Sequence, residues 1–215
     1  MPKNIKNPNL QNSAATQDDL AIPLIVDFDG TMHLADLTIE GLFWVLKTRP
    51  WALAKLLWLH LTQGRAALKL ALEDMAEKHD WQPVLPWEER VLERIATEKA
   101  RGRTVVVVTG STTRLVQRAI RGKGLDYEVV GTESAANNLT GPRKAAALIE
   151  RWGVKKFDYI GNSKDDLHVW KEGRYALIIG NSKRVRAGAA KLGNVVWQLE
   201  TPRRRKLLGR LRKRR

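Results

Sequence analysis

An apolar tripeptide, Leu24-Ile25-Val26, runs without a spacer into Asp27-Phe28-Asp29-Gly30-Thr31, and no other feature restricts the fold as much. An apolar run without alternation suits a strand covered on both faces. The glycine turn that ends it sets two carboxylates at the strand's carboxyl end. Five more runs of this kind follow, at 104–109, 127–130, 157–160, 175–179 and 195–199. Between them lie stretches that read as helices: 36 to about 100, 112–123 and 143–152. Pro50 opens the second helix of the long stretch, and Gly64, Pro83 and Pro86 mark later breaks. Short buried strands separated by helices predict an α/β fold: a Rossmann-like parallel sheet with helices on both faces. A helical segment is inserted after the first strand.

With 215 residues, 43% of them hydrophobic, the chain has enough apolar side chains for one ordinary core. It contains no cysteine, which excludes disulfides, thiolate metal sites and cysteine nucleophiles. The expected organisation is a polar, disordered leader (1–20), a catalytic core (21–35 and 101–202), a helical cap (36–100) and a basic tail (203–215). No uncharged apolar stretch of 18 residues occurs, so no transmembrane helix is expected, and the polar leader does not read as a signal peptide. A cytoplasmic location, possible on the inner membrane face, is the expectation.

Active sites of parallel α/β sheets lie at the carboxyl ends of the strands. This chain places Asp27 and Asp29 there, then Thr109 and Ser111, then Asn162, Asp165 and Asp166, with Lys144 near the start of a helix. Each alone is weak: a single strand-end aspartate is more often a turn or cap residue. Together, and in this order, they resemble the haloacid dehalogenase (HAD) superfamily. Asp27-Phe28-Asp29-Gly30-Thr31 is similar to its first motif, Thr109 to the second, Lys144 to the third and 161–166 to the fourth. The segments 138–146 and 157–163 are similar to the HAD domain found fused to UbiA-type membrane prenyltransferases. The resemblance spans about 22–200. It implies a HAD fold and a Mg²⁺-dependent phosphatase working through an aspartyl-phosphate on Asp27. It further implies Asp27, Asp29, Thr109 and Lys144 as catalytic residues, with Asp29 as acid and base. Asp27, Asp29, Asn162 and Asp166 are the implied metal ligands, and Gly30, Thr109, Gly110 and Lys144 the phosphate contacts. Asn162 departs from the usual aspartate, and an amide brings no charge to the metal.

The net charge is +15, of which the nine Lys and Arg of 203–215, with no acid, supply nine. Residues 41–72 also lack acids and carry Trp44, Trp51 and Trp58, each seven apart. Trp and basic residues flanking aliphatic ones compose a membrane-interface helix, although packing on the core explains the same pattern. Trp44, Trp51, Trp58, Arg203, Arg204 and Arg205 are therefore the expected membrane contacts. His33, His60, His79 and His168 show no ligand spacing and read as structural or surface residues. Arg114, Arg118 and Arg121 read as a solvated helix face.

The expected partners are a phosphorylated lipid or prenyl-linked sugar phosphate and an anionic membrane surface. Three alternatives stay open: a soluble-metabolite phosphatase tethered by its tail, a non-catalytic partner of a membrane prenyltransferase, and a nucleic-acid-binding protein. The residues do not decide the substrate or the oligomeric state.

Overall fold

The structure, a computed structural model, describes residues 20–134 and 138–201. The expected leader up to residue 19 and the basic tail, with Arg203, Arg204 and Arg205, lie outside the described residues.

Six strands form one parallel sheet: β1 (Leu24–Val26), β2 (Val105–Thr112), β3 (Glu128–Thr132), β4 (Asp158–Gly161), β5 (Ala176–Ile179) and β6 (Val195–Leu199). Their spatial order is β3-β2-β1-β4-β5-β6. The chain winds outward from β1 through β2 to β3, then restarts at β4 on the other side of β1. Ile25 in the central strand is level with Val106 of β2 and Tyr159 of β4. A parallel sheet opens a crevice where the winding reverses, here at the carboxyl ends of β1 and β4.

The all-apolar strands follow from burial on both sides. Leu24, Val26, Val105 and Val107 face one core with Val116 and Ile120 of α4 (Thr113–Gly122). Ile25, Val106, Val108 and Tyr159 face the other, with Leu148 of α5 (Gly141–Trp152), Val169 and Trp170 of α6 (Asp166–Glu172), and Val185 of α7 (Lys183–Ala190).

Three helices lie between β1 and β2: α1 (Leu37–Thr48), α2 (Ala52–Lys78) and α3 (Glu89–Ala100). Asp36 caps α1 by accepting the amides of Thr38 and Ile39 at 2.9 and 3.2 Å. Within the expected cap, 36–100, the three helices pack in two different places. Val91, Leu92 and Ile95 of α3 sit in the main core beside β1 and β2. The segment with its own small core (Val45, Leu56 and Leu72) is α1 and α2.

Helix α2 is broken at Gly64, whose φ of 86° and ψ of −175° are open essentially to glycine alone. Beyond the break α2 is fastened to α4. Glu73 accepts the Leu115 amide at 3.2 Å and pairs with Arg114 at 2.9 Å. Arg114 also reaches Glu77, and Arg118 pairs with Asp80. Arg114 and Arg121 are exposed and Arg118 partly so, and Arg114 and Arg118 are ion-paired because α4 begins against the acidic end of α2.

At the amino end of the sheet, buried Asp158 pairs with Arg103 and accepts Arg174 Nη2 at 2.7 Å and the Tyr175 amide at 3.1 Å. Arg103 also reaches Glu98 at 3.3 Å. This network is remote from the acidic end of β1.

Candidate active site

The carboxylate that ends β1 meets the first turn of α5. Lys144 Nζ donates to Asp27 Oδ1 at 2.6 Å, and Thr31 Oγ1 donates to Asp27 Oδ2 at 3.2 Å. Asp27 is 6% and Lys144 5% exposed, so the ion pair is almost dry. Burial pushes the Asp27 carboxyl up, to about 7, and the neighbouring ammonium keeps it from rising further. Burial disfavours the Lys144 ammonium, but Asp27 and Asp166 outweigh that and hold its pKa above the usual value. Lys144 also donates to the Tyr159 hydroxyl at 3.0 Å, which donates in turn to Asp166 Oδ1 at 2.7 Å. Burial raises the Tyr159 phenol well above its ordinary range, so it stays a donor.

Asp29 lies two residues on, across the glycine turn, and is held by the insertion and by β2. Its Oδ1 accepts the Leu37 amide at 2.8 Å, and its Oδ2 accepts the Ser111 hydroxyl at 2.6 Å. Thr109 Oγ1 is 3.4 Å from the same Oδ2 and accepts the Ser111 amide at 2.9 Å. His33 is fully buried. Its Nδ1 accepts the Ala35 amide at 3.3 Å, which assigns the ring proton to Nε2, 3.3 Å from Asp29 Oδ1. Burial would raise the Asp29 carboxyl, yet the donors at His33, Ser111 and Leu37 together hold it below the ordinary carboxylate range.

Asp166, expected as a metal ligand, has both oxygens engaged within the protein. Besides Tyr159 at Oδ1, its Oδ2 accepts the Asn162 amide at 3.0 Å and the Ser163 amide and hydroxyl, each at 2.8 Å. It thereby fixes the turn that carries Asn162. The Asn162 side chain lies over Gly30: a Cβ at Gly30 would come within 2.0 Å of Asn162 Nδ2. Among the described residues no three His, Cys, Asp or Glu side chains group as a metal cluster. The donors near the turn are oxygens, the carboxylate of Asp27 and the amide of Asn162, and oxygens are what a hard cation such as Mg²⁺ takes.

Two expected phosphate contacts are placed differently. The Gly30 amide closes its own turn on the Ala35 carbonyl at 3.2 Å, so it does not point at a ligand. Gly110 offers its carbonyl, which accepts from Thr132 Oγ1 at 3.0 Å and from Lys69 Nζ. A side chain at Gly110 would strike Thr140 Cγ2 at 2.6 Å.

Sequence reasoning missed several contributors. Ser111 is placed at the end of β2 by the sequence but is given no role there. Tyr159 reads as one more apolar strand residue, and His33 as a scattered histidine. Lys69 comes from the insertion, 41 residues from Gly110 in the chain, and no spacing rule finds it. The three tryptophans separate. Trp44 stacks on Trp81 with ring centroids 5.2 Å apart and lies under Arg49, so packing occupies it. Trp51 and Trp58 are 74% and 57% exposed, beside exposed Phe43, Leu57 and Leu61.

A family model for haloacid dehalogenase-like hydrolases matches residues 24–171. An uncharacterized protein, y4nM of Sinorhizobium fredii, is 29% identical over 178 residues, covering 81% of this chain and 33% of that protein. The chain thus spans about a third of the length of the curated relative it matches. Among solved structures, a protein with unknown function from Bordetella pertussis Tohama I aligns with a TM-score of 0.58 and 11% identity, over 83% of this chain and 97% of that one. A substrate-bound phosphoserine phosphatase complex aligns with a TM-score of 0.54 and 16% identity, over 88% and 97%. A HAD family hydrolase from Salmonella enterica serovar Typhi aligns at 0.53 and 13%, over 82% and 68%. At these identities the likeness is one of fold.

Proposed function

The chain belongs to the haloacid dehalogenase-like hydrolase family, and from that premise we propose that it hydrolyses phosphate monoesters through an aspartyl-phosphate on Asp27. The observation that carries this reading is the pairing of one buried carboxylate with Lys144 while a second carboxylate, Asp29, is anchored across the turn. Asp27 attacks phosphorus and the ester oxygen leaves with a proton from Asp29. Asp29 then takes a proton from water, which attacks the same phosphorus, releases phosphate and restores Asp27. Lys144 and the Thr109 hydroxyl offset charge on the phosphoryl oxygens. To serve as acid, Asp29 must first gain a proton, and entry of an anionic substrate beside it favours that. Mg²⁺ would be held by Asp27, the main-chain carbonyl of Asp29 and Asn162, and when bound it screens the repulsion between carboxylate and phosphate. Asp166 acts by fixing the Asn162 turn.

The test is phosphate release from p-nitrophenyl phosphate with Mg²⁺ present and after chelation. Release that is metal-independent, or none with any ester, overturns the reading. Asn162→Asp should lower the Mg²⁺ concentration for half-maximal rate by about tenfold or more, since a carboxylate adds charge to the metal's oxygen shell. An unchanged midpoint removes Asn162 from the ligand set.

The exposed apolar residues of α1 and α2 favour a lipid surface as the place of action. Ile39, Phe43, Leu46, Trp51, Leu57, Trp58 and Leu61 are each about half exposed or more, with Lys47 and Lys55 exposed among them. Apolar side chains rimmed by cations suit an anionic bilayer. Among the described residues no helix is long and apolar enough to cross one. The similarity of 138–146 and 157–163 to the HAD domain of prenyltransferase fusions adds a phosphorylated lipid or prenyl-linked sugar phosphate as substrate class. Cosedimentation should show binding to anionic vesicles that falls with salt and keeps a salt-resistant part. Replacing Trp51 and Trp58 by Ala should remove the resistant part, and deleting 203–215 the sensitive part. Binding to nucleic acid with none to vesicles would reassign the basic tail.

A further inference from the structure

The steps above leave one buried cation at the site unused. Lys69 lies in the second half of α2 and is 9% exposed. Its Nζ donates to the Gly110 carbonyl, a single hydrogen bond among the described residues for a group with three donors. No carboxylate pairs with it within ion-pair distance among those residues, although Asp29 and Asp36 are near enough to favour its charge and Arg65 and Lys144 to oppose it. A buried ammonium with a neutral partner is costly to keep. The packing of α2 is supplied by Leu72 and Ala76, and Glu73 fastens it to α4.

Its position is set from both sides. One turn on, Glu73 locks this half of α2 against the first turn of α4. Just before it, Gly64 ends the outward-facing half, so the helix that carries Lys69 is directed by the core. Gly110 sits between Thr109 and Ser111, and both of those hydroxyls reach Asp29 Oδ2. Lys144 serves Asp27, where the phosphoryl group is attacked. Lys69 is therefore on the Asp29 side, where the ester oxygen leaves. Arg65, one turn earlier and exposed, extends the positive charge outward along the same helix face.

We infer that Lys69 binds a second anionic group carried by the leaving portion of the substrate, so that the site selects phosphate monoesters bearing a nearby carboxylate or further phosphate. The inference rests on the phosphatase reading and deepens it: Lys144 takes the transferred phosphoryl group and Lys69 the anion beyond it. A charge-assisted hydrogen bond of this kind separates substrates roughly ten- to a hundredfold.

The experiment uses the full chain with Mg²⁺ and three small esters: ethyl phosphate, its carboxylate-bearing counterpart 2-phosphoglycolate, and ethylene glycol bisphosphate. Wild type is expected to prefer one or both anion-bearing esters by at least about tenfold in kcat/KM. Lys69→Met should erase that preference mainly through KM, and Lys69→Arg should restore part of it. Thermal melting is followed in parallel. If Lys69→Met lowers kcat/KM equally for all three esters and lowers Tm, Lys69 is a clamp between α2 and β2 and the inference is overturned. If wild type shows no preference, it is overturned without touching the phosphatase reading. If no ester is hydrolysed, by wild type or variant, both fall together.

Discussion

Asp27→Asn is expected to lower turnover by at least about a thousandfold while the protein remains folded. Asparagine keeps the shape of the side chain but is no nucleophile, and covalent transfer cannot start without one. The change also removes the negative charge 2.6 Å from Lys144, leaving at most an amide oxygen as acceptor, in a site where both groups are almost fully buried. Asp166 at 3.9 Å and the Tyr159 hydroxyl at 3.0 Å remain to receive the ammonium, so the fold should tolerate the loss. Steady-state phosphate release and a thermal melt decide the matter together. A folded variant that keeps more than about a thousandth of the wild-type rate would remove Asp27 from the role of nucleophile. An unfolded variant is resolved by Asp29→Asn, which keeps the Asp27–Lys144 pair and should also fail in turnover.

The largest effect on stability is expected at the other end of the sheet. Asp158→Ala should destabilise the fold by about 3–5 kcal/mol, the cost of removing one member of a buried ionic network. Arg103 and Arg174 would lose their shared carboxylate, with the Arg103 side chain 7% exposed. For a chain of this size that corresponds to a fall in Tm of roughly 6–20 °C. The rate per folded molecule should be preserved, because Asp158 is level with Leu24 at the start of β1, while Asp27 follows its end. Chemical denaturation with activity measured below the transition separates the two effects. A loss under about 1 kcal/mol would mean that water, not burial, dominates this network.

How far the residues spoke for themselves differs from element to element. The strand at Leu24–Val26 was legible because an unbroken apolar run before an Asp-x-Asp-Gly turn suits few local structures. The helix carrying Lys144 was legible as 143–152, and the structure starts it two residues earlier, at Gly141, with Pro142 in its first turn. Asp27 and Lys144 could be named as members of one site because each ends or begins an element that a parallel sheet brings to the same edge. The long helical stretch was less so. Periodicity does not say which neighbour an apolar face meets, and α3 turned out to pack in the main core with Val91 and Ile95.

Side-chain reach was beyond the sequence altogether. Asp166 reads as a ligand, but its two oxygens accept four hydrogen bonds from Tyr159, Asn162 and Ser163, and that depends on how a turn of five residues closes. His33 reads as scattered until its ring is seen against Asp29. Lys69 and Gly110 are joined by the docking of α2 on α4, a contact between segments far apart in the chain. The order of buried strands and helices, with carboxylates and a lysine at their ends, was thus determined by the sequence, because burial on both faces and local turn chemistry act over a few residues. Which of those groups are spent on one another, and which cation is left facing the site, was decided only by the tertiary structure. Hydrogen-bond partners are chosen by three-dimensional proximity, and a one-dimensional pattern does not contain it.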